Sequence, residues 1–326
     1  MGNYMCFVAP KKPKSPPYNS SFSITVLAPS VQRREGEILQ SSNLKKFSLK
    51  ELKIATRNKH FECIPYNVTF GWIDEHTLKP ALLRTGMQVT VHRMPVCPVS
   101  FGEHQKWLAK IMYLGKLRHP NLVKLIGYCV KDRTYLVVHE FMPNGRLGGR
   151  HFRRSSDFKP LSWKCRIKIS LGVAKGLAFL HSVGIVWGNF QTSNVFLDSE
   201  YNAKIYEFVS LRHPLSKYSD SVAGQPEYPN PMCDVYSFGV VLLEILSGRS
   251  DCKIGRRLDR LDLMDWVARY LNNNSGIIFD PQLEGQYSLM EAQKLISLVF
   301  QCIQTKRAYR PSMAQIVKAL EALQDG

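Results

Sequence analysis

The chain has 326 residues, with 44 Lys+Arg against 26 Asp+Glu and a formal charge of +18. At 44% hydrophobic and 21% charged residues, its composition is that of an ordinary globular protein, which excludes a mostly disordered chain, a collagen-like one and a small disulfide scaffold. No segment reaches the ~18 consecutive apolar residues that span a bilayer; the longest candidate, Phe238 to Leu246, carries Glu244.

Residues 1–46 hold Pro10, Pro13, Pro16, Pro17 and Pro29 with many serines and no clear periodicity, the pattern of a flexible arm. Residues 1–60 contain 11 Lys/Arg and 3 Asp/Glu. That excess reads either as a solvated charge run or as a surface for an anionic leaflet. Met1-Gly2-Asn3-Tyr4-Met5-Cys6 places glycine directly after the initiator, as N-myristoylation requires, with Cys6 in place of the usual Ser/Thr and available for palmitoylation. Lys11, Lys12 and Lys14 add the basic patch that makes a single acyl chain hold. The expectation is a peripheral, lipid-anchored protein on the cytoplasmic face of the plasma membrane. The eight scattered cysteines form no C-x-x-C pair and read as reduced cytosolic thiols.

From Phe47 the pattern is globular. Val89–Arg93, Leu122–Cys129 and Thr134–His139 read as strands, and Phe101–Leu117 carries Trp107, Leu108, Ile111 and Leu114 at helical spacing. Beyond about residue 143 the pattern is helical. Ser162–His181 places Ile167, Leu171, Ala174 and Ala178 on one face, Asp234–Ser247 is apolar nearly all round, and Ser312–Leu323 repeats Met313, Ile316, Val317, Leu320 and Leu323. A hairpin, Val195–Leu197 with Ala203–Tyr206, interrupts the helices. The fold class is α+β, with residues 47–142 a small β-rich lobe and 143–326 a larger helical lobe.

Seven strings in this order, FSLKELKIATRN (47–58), GWIDEHTLKP (71–80), LGKLRHPNLVKLIGYC (114–129), EFMPNGRL (140–147), AKGLAFLH (174–181), DVYSFGVVLLEILSGR (234–249) and RPSM (310–313), resemble the protein-kinase fold and most closely the plant receptor-like cytoplasmic kinases. The resemblance implies a bilobal domain in which a Gly-rich loop, a lysine–glutamate pair, a catalytic carboxylate and metal-binding side chains converge on ATP.

The chain departs from that pattern at most of these groups. The stretch in place of the Gly-rich loop, Phe61–Phe70, has no glycine, and Pro65 lacks a backbone donor. The lysine position is His92 and its glutamate partner is Lys110. Lys110 either faces the imidazole and depresses its protonation or points to solvent on a helix swung outward. Trp187-Gly188-Asn189 replaces the catalytic triplet, so an amide stands where a carboxylate would accept the substrate proton. Gln191 replaces the lysine that steadies the transferring phosphoryl group, and Glu207-Phe208-Val209 replaces the metal-binding D-F-G.

Asn194 and Glu207 remain as metal-ligand candidates, and Val68, His92, Glu140 and Met142 outline a residual nucleotide pocket. The structural positions are kept: Glu227 and Arg310 match the ion pair that ends the activation segment, and Asp234 matches the aspartate that braces the catalytic loop. The resemblance therefore implies a pseudokinase that requires no cofactor, with at most weak ATP and Mg²⁺ binding. It would act as a scaffold, decoy or allosteric partner of other kinases or intracellular immune receptors. The alternative is a weakly active Ser/Thr kinase with an unconventional ATP and metal pose. The dispersed basic residues accompany no nucleic-acid motif, and no nucleic-acid partner is expected.

Overall fold

The computed structural model describes residues 44–57, 68–94, 101–132, 134–148, 160–188, 190–206, 230–248, 267 and 279–324. The first lobe is a five-stranded sheet of β1 (Lys45–Lys46), β2 (Val68–Ile73), β3 (Met87–Arg93), β4 (Leu125–Lys131) and β5 (Thr134–Glu140), in the order β1-β4-β5-β3-β2. All its pairings are antiparallel except that of β1, which runs parallel to β4 with Lys45 opposite Gly127 and Lys46 opposite Tyr128. The sequence places Lys45 and Lys46 in the arm. They belong to the sheet, because two glycines open room that periodicity does not reveal. A Cβ at Gly127 would lie 2.2 Å from the Lys45 carbonyl oxygen, and one at Gly115 would lie 2.3 Å from the Leu44 side chain.

Period-two alternation gives the sheet two different faces. Val89, Val91, Leu136 and Val138 point to one side, where Phe47 and helix α1 (Leu49–Ala55) cover them with Leu52 and Ala55. Ser48 caps α1, its hydroxyl accepting from the Glu51 N–H at 3.2 Å while the Glu51 carboxylate accepts from the Ser48 N–H at 2.7 Å. These bonds to Ser48 favour the ionised form and hold the Glu51 carboxyl below its ordinary range. Tyr135 and Val137 point to the other side, together with Thr90, His92 and His139. There α2 (Phe101–Leu114) packs Trp107 against Tyr135, with ring centroids 4.9 Å apart.

The second lobe contains α3 (Trp163–Ser182), the hairpin β6 (Val195–Leu197) and β7 (Ala203–Ile205), α4 (Pro231–Ser247), α5 (Leu289–Cys302) and α6 (Met313–Gln324). The predicted elements are present in kind and order, and β1, α1, β2 and α5 are additions that the sequence reading did not contain. The ends of the predicted elements differ by a few residues, and Leu122 forms only an isolated bridge to Ile205 ahead of β4. Helix α4 starts on the Asn230 cap with Pro231 in its first turn, and stops at Gly248, whose φ of 64° is one that glycine adopts without strain.

The polar anchor of this lobe is Arg166, 1% exposed near the start of α3. Its Nε donates to the Leu161 carbonyl at 2.9 Å, Nη1 to the Ile245 carbonyl at 2.8 Å, and Nη2 to Asp280 Oδ2 at 2.7 Å. Burial pushes its pKa down, and the Asp280 carboxylate opposes the shift. Arg310 acts likewise beside α4, donating from Nε to the Gln304 carbonyl and from Nη1 to the Met232 carbonyl, each at 2.7 Å, with its guanidinium over the Tyr236 ring. Its expected partner Glu227 lies outside the described residues.

Candidate functional site

The cleft lies where the α2-side face of the sheet meets the β6–β7 hairpin. His92, on β3 opposite Val68 on β2 and Val137 on β5, is 2% exposed and points into this interface. Its Nδ1 lies 2.8 Å from the hydroxyl of Tyr206, and the two rings are close to parallel. Tyr206 follows β7 directly and is 1% exposed. The His139 ring stands 4.7 Å from the Tyr206 ring and the Phe196 ring 5.3 Å from it, centroid to centroid. The Tyr206 N–H donates to the Asn194 carbonyl at 2.8 Å, so its backbone is tied to the same loop its side chain rises from. A phenol thus fills the space beneath β3, and its hydroxyl meets the side chain that stands at the lysine position.

The hinge side chains are committed as well. The His139 ring nitrogen Nδ1 lies 2.9 Å from the Glu140 carbonyl, an acceptor, so Nδ1 carries the proton. The Glu140 carboxylate accepts from the Lys124 N–H at 2.7 Å and from Lys204 Nζ at 2.9 Å, which draws it away from the cleft. Glu140, Lys124 and Lys204 line an open groove of about 360 Å³ together with Arg118, His119 and Pro120. Of the other residues in the expected pocket, Met142 is buried, whereas Val68 is 42% exposed at the rim. Phe70, also exposed, touches Phe141 edge to face at 5.2 Å across the cleft mouth.

Burial lowers the His139 pKa to about 4, with Arg146 adding to the effect and the Glu140 hydrogen bond opposing it. Above pH ~6.5 the ring is neutral in both the folded and the unfolded chain. Between pH ~6.5 and ~4 the unfolded chain binds a proton that the folded one does not, so stability falls as pH falls through that window, by on the order of 3 kcal/mol. Urea midpoints of the wild type and of His139→Phe across this range check the effect. The variant should lose most of the slope, with a remainder from His119, which burial also lowers.

The catalytic-loop segment is held although its chemistry has changed. Asp234, fully buried on α4, accepts from the Trp187 N–H at 2.7 Å through Oδ2, from the Gly188 N–H at 2.7 Å through Oδ1, and from His181 Nε2 at 2.9 Å. Gly188 has φ of 89°, which lets two successive N–H groups aim at one carboxylate. This is the bracing role expected of Asp234. Trp187 is buried against Phe190, edge to face at 5.6 Å.

Asn194 is buried in a 3₁₀ turn (Thr192–Asn194), and its Oδ1 accepts from the Gln191 N–H at 2.9 Å. Gln191 itself is exposed, and Lys110 is half-buried on α2. Asn189, Glu207, Gly2 and Cys6 lie outside the described residues.

Among the described residues, the cation expected for a nucleotide's phosphates is replaced by an imidazole bonded to a phenol, and the Asn194 amide oxygen accepts from the Gln191 N–H; Glu207, the other candidate metal ligand, lies outside the described residues. No group of three or more His, Cys, Asp or Glu side chains able to hold a metal occurs among the described residues. Tyr206 and Phe196 escaped sequence reasoning as cleft residues. The available signal was a cluster of aromatic and imidazole residues at the strand ends flanking the expected pocket.

Residues 67–320 match the family described as protein tyrosine and serine/threonine kinase. Receptor-like cytoplasmic kinase 176 of Oryza sativa subsp. japonica is 44% identical over 330 residues, covering 94% of this chain and 83% of that protein. Serine/threonine-protein kinase BIK1 of Arabidopsis thaliana is 42% identical over 326 residues, covering 93% and 82%. Among solved structures, the apo GRMZM2G135359 pseudokinase superposes with a TM-score of 0.66 at 24% identity, over 87% of this chain and 98% of that one, a likeness of fold.

Proposed function

The chain belongs to the protein-kinase family, among the plant receptor-like cytoplasmic kinases, and we propose that it works there as a pseudokinase. It holds the two-lobed scaffold for recognition and does not transfer phosphate. Its place is the cytoplasmic face of the plasma membrane, through acylation of Gly2 and Cys6. Its role is that of a scaffold, decoy or allosteric partner for active kinases or intracellular immune receptors.

The observation that carries this reading is Tyr206, seated beneath β3 with its hydroxyl on His92 and its ring against His139. A kinase cleft needs room and a cation there, because phosphoryl transfer depends on positioning and charge stabilisation. Here an imidazole and a phenol pack into that space instead. The substitutions at Lys110, Asn189 and Gln191 act in the same direction.

The test is nucleotide binding and phosphotransfer by the full chain. At about 100 μM MgATP, a site with a Kd near 1 μM would raise the melting temperature by roughly 5–10 °C. The expected result is no resolvable rise and no difference between MgATP and ATP with chelator. Asn189→Asp should leave phosphate incorporation into a generic substrate at background, because His92, Lys110 and Gln191 remain. Incorporation by the wild type would establish the weakly active kinase instead, the activity for which BIK1 is named.

A further inference from the structure

The strap that covers the outer face of the sheet carries an unusual surface of its own. Residues 44–57 contain Lys45, Lys46, Lys50, Lys53 and Arg57 against the single acid Glu51. Glu51 is paired with Lys45 at 3.0 Å and takes part in the Ser48 cap. The other four cations remain as excess charge along α1 and its flanks. Lys131, exposed at the end of the neighbouring strand β4, extends the patch. Asp132 is the acid that follows.

Amid these cations Ile54 is 54% exposed. On α1 it shares a face with Lys50, four residues before, while Arg57 stands exposed in the turn that follows the helix, at φ of 57°. The opposite face of α1 is fixed to the domain by Leu52, fully buried, and by Ala55. The surface is therefore rigidly oriented, with an apolar tip inside a basic collar.

We infer that this face of α1, with Ile54 at its centre and Lys50, Lys53, Arg57 and Lys131 around it, is a docking surface for an anionic phospholipid bilayer. Each Lys or Arg near such a leaflet contributes about 1 kcal/mol, roughly fivefold in affinity, and only within a Debye length of the surface. A flat, fixed patch brings several cations into that layer together, while the apolar tip reaches the headgroup–acyl boundary.

The position of the patch in the chain agrees with this occupant. It follows within a few residues the segment 1–43, which carries Gly2, Cys6, Lys11, Lys12 and Lys14. The inference deepens the membrane-bound reading above, on which its biological setting rests. Docked this way, the α1 side of the sheet faces lipid, and the opposite face stays covered by α2 and Tyr206.

The probe is vesicle co-sedimentation of the full chain made without acylation, using phosphatidylcholine vesicles with and without phosphatidylserine at near-physiological salt. The wild type should bind only the phosphatidylserine vesicles. Lys50→Gln with Lys53→Gln should weaken that binding about tenfold or more, and Ile54→Asp should weaken it comparably. The control pair Lys294→Gln with Lys318→Gln, exposed on α5 and α6, should change it less than twofold. All variants should keep the wild-type melting temperature.

Equal binding by the wild type and the α1 variants, an equal loss in the control pair, or no binding of the wild type to phosphatidylserine vesicles would each overturn the inference. Capture of an acidic protein by this face without lipid binding would overturn it as well. Fractionation of Gly2→Ala in plant cells tests the acyl anchor separately. Retention at the membrane there refutes acylation as the anchor and leaves the vesicle result standing.

Discussion

Asp280→Ala should cost about 3–5 kcal/mol of stability, the usual penalty for removing one partner of a buried ion pair. The guanidinium of Arg166 would stay enclosed between α3, the end of α4 and the Asp280 segment. Its bonds to the Leu161 and Ile245 carbonyls would remain, but its countercharge would be gone. Such a loss is a large part of the 5–15 kcal/mol that holds a typical domain together. The expected result is a strongly lowered urea midpoint for the helical lobe and little soluble protein at 37 °C.

The same physics predicts an asymmetry. Arg166→Met combined with Asp280→Leu removes both charges and the desolvation cost with them, and should recover much of the loss. Gly248 shapes the outcome, because a Cβ there would lie 2.6 Å from Asp280 Oδ2 and the pocket has no spare volume on that side. A single variant as stable as the wild type would show that the pair contributes nothing. A double variant worse than either single one would show that packing, not charge, dominates the site.

Asp234→Ala should be comparably damaging, for a different reason. The carboxylate satisfies two consecutive backbone N–H groups, at Trp187 and Gly188, and the His181 ring. Each buried donor left unsatisfied costs about 1–3 kcal/mol. Asp234→Asn tests whether shape suffices, because its amide nitrogen would turn a donor toward groups that are themselves donors, and it should restore only part of the loss.

Hydrogen exchange separates this from general unfolding. The amides of Trp187 and Gly188 should lose protection in both variants while those in the middle of α3 keep theirs in Asp234→Asn. Unchanged protection at residues 187 and 188 would mean that the loop is held by Trp187 packing on Phe190 rather than by the carboxylate.

The order of elements was legible because periodicity is a local property. Val89 and Val91 alternate with Thr90 and His92, and Met313, Ile316, Leu320 and Leu323 recur at helical spacing, whatever the rest of the chain does. Lys45 and Lys46 were not legible as a strand. Two lysines beside a proline- and serine-rich segment read as tail, and only the missing Cβ atoms of Gly115 and Gly127, more than 60 residues away, make a seat for them. Nothing local marks Arg166 as buried; Asp280, the Leu161 carbonyl and the Ile245 carbonyl near the end of α4 close around it.

For the site, the amino-acid sequence by itself determined which chemical groups are missing. The functional group a side chain carries belongs to its residue type, so histidine at 92, lysine at 110, asparagine at 189 and glutamine at 191 are statements that no fold can alter. What replaces those groups was decided only by the tertiary structure. Tyr206 meets His92 across 114 positions of chain, and His139 closes on the same ring from β5. That seat exists because the β6–β7 hairpin docks under the sheet, where long-range packing rather than local preference sets which side chain fills the cleft. The tilt that leaves Ile54 outward among its cations was set in the same way, by Leu52 entering the core on the other side of α1.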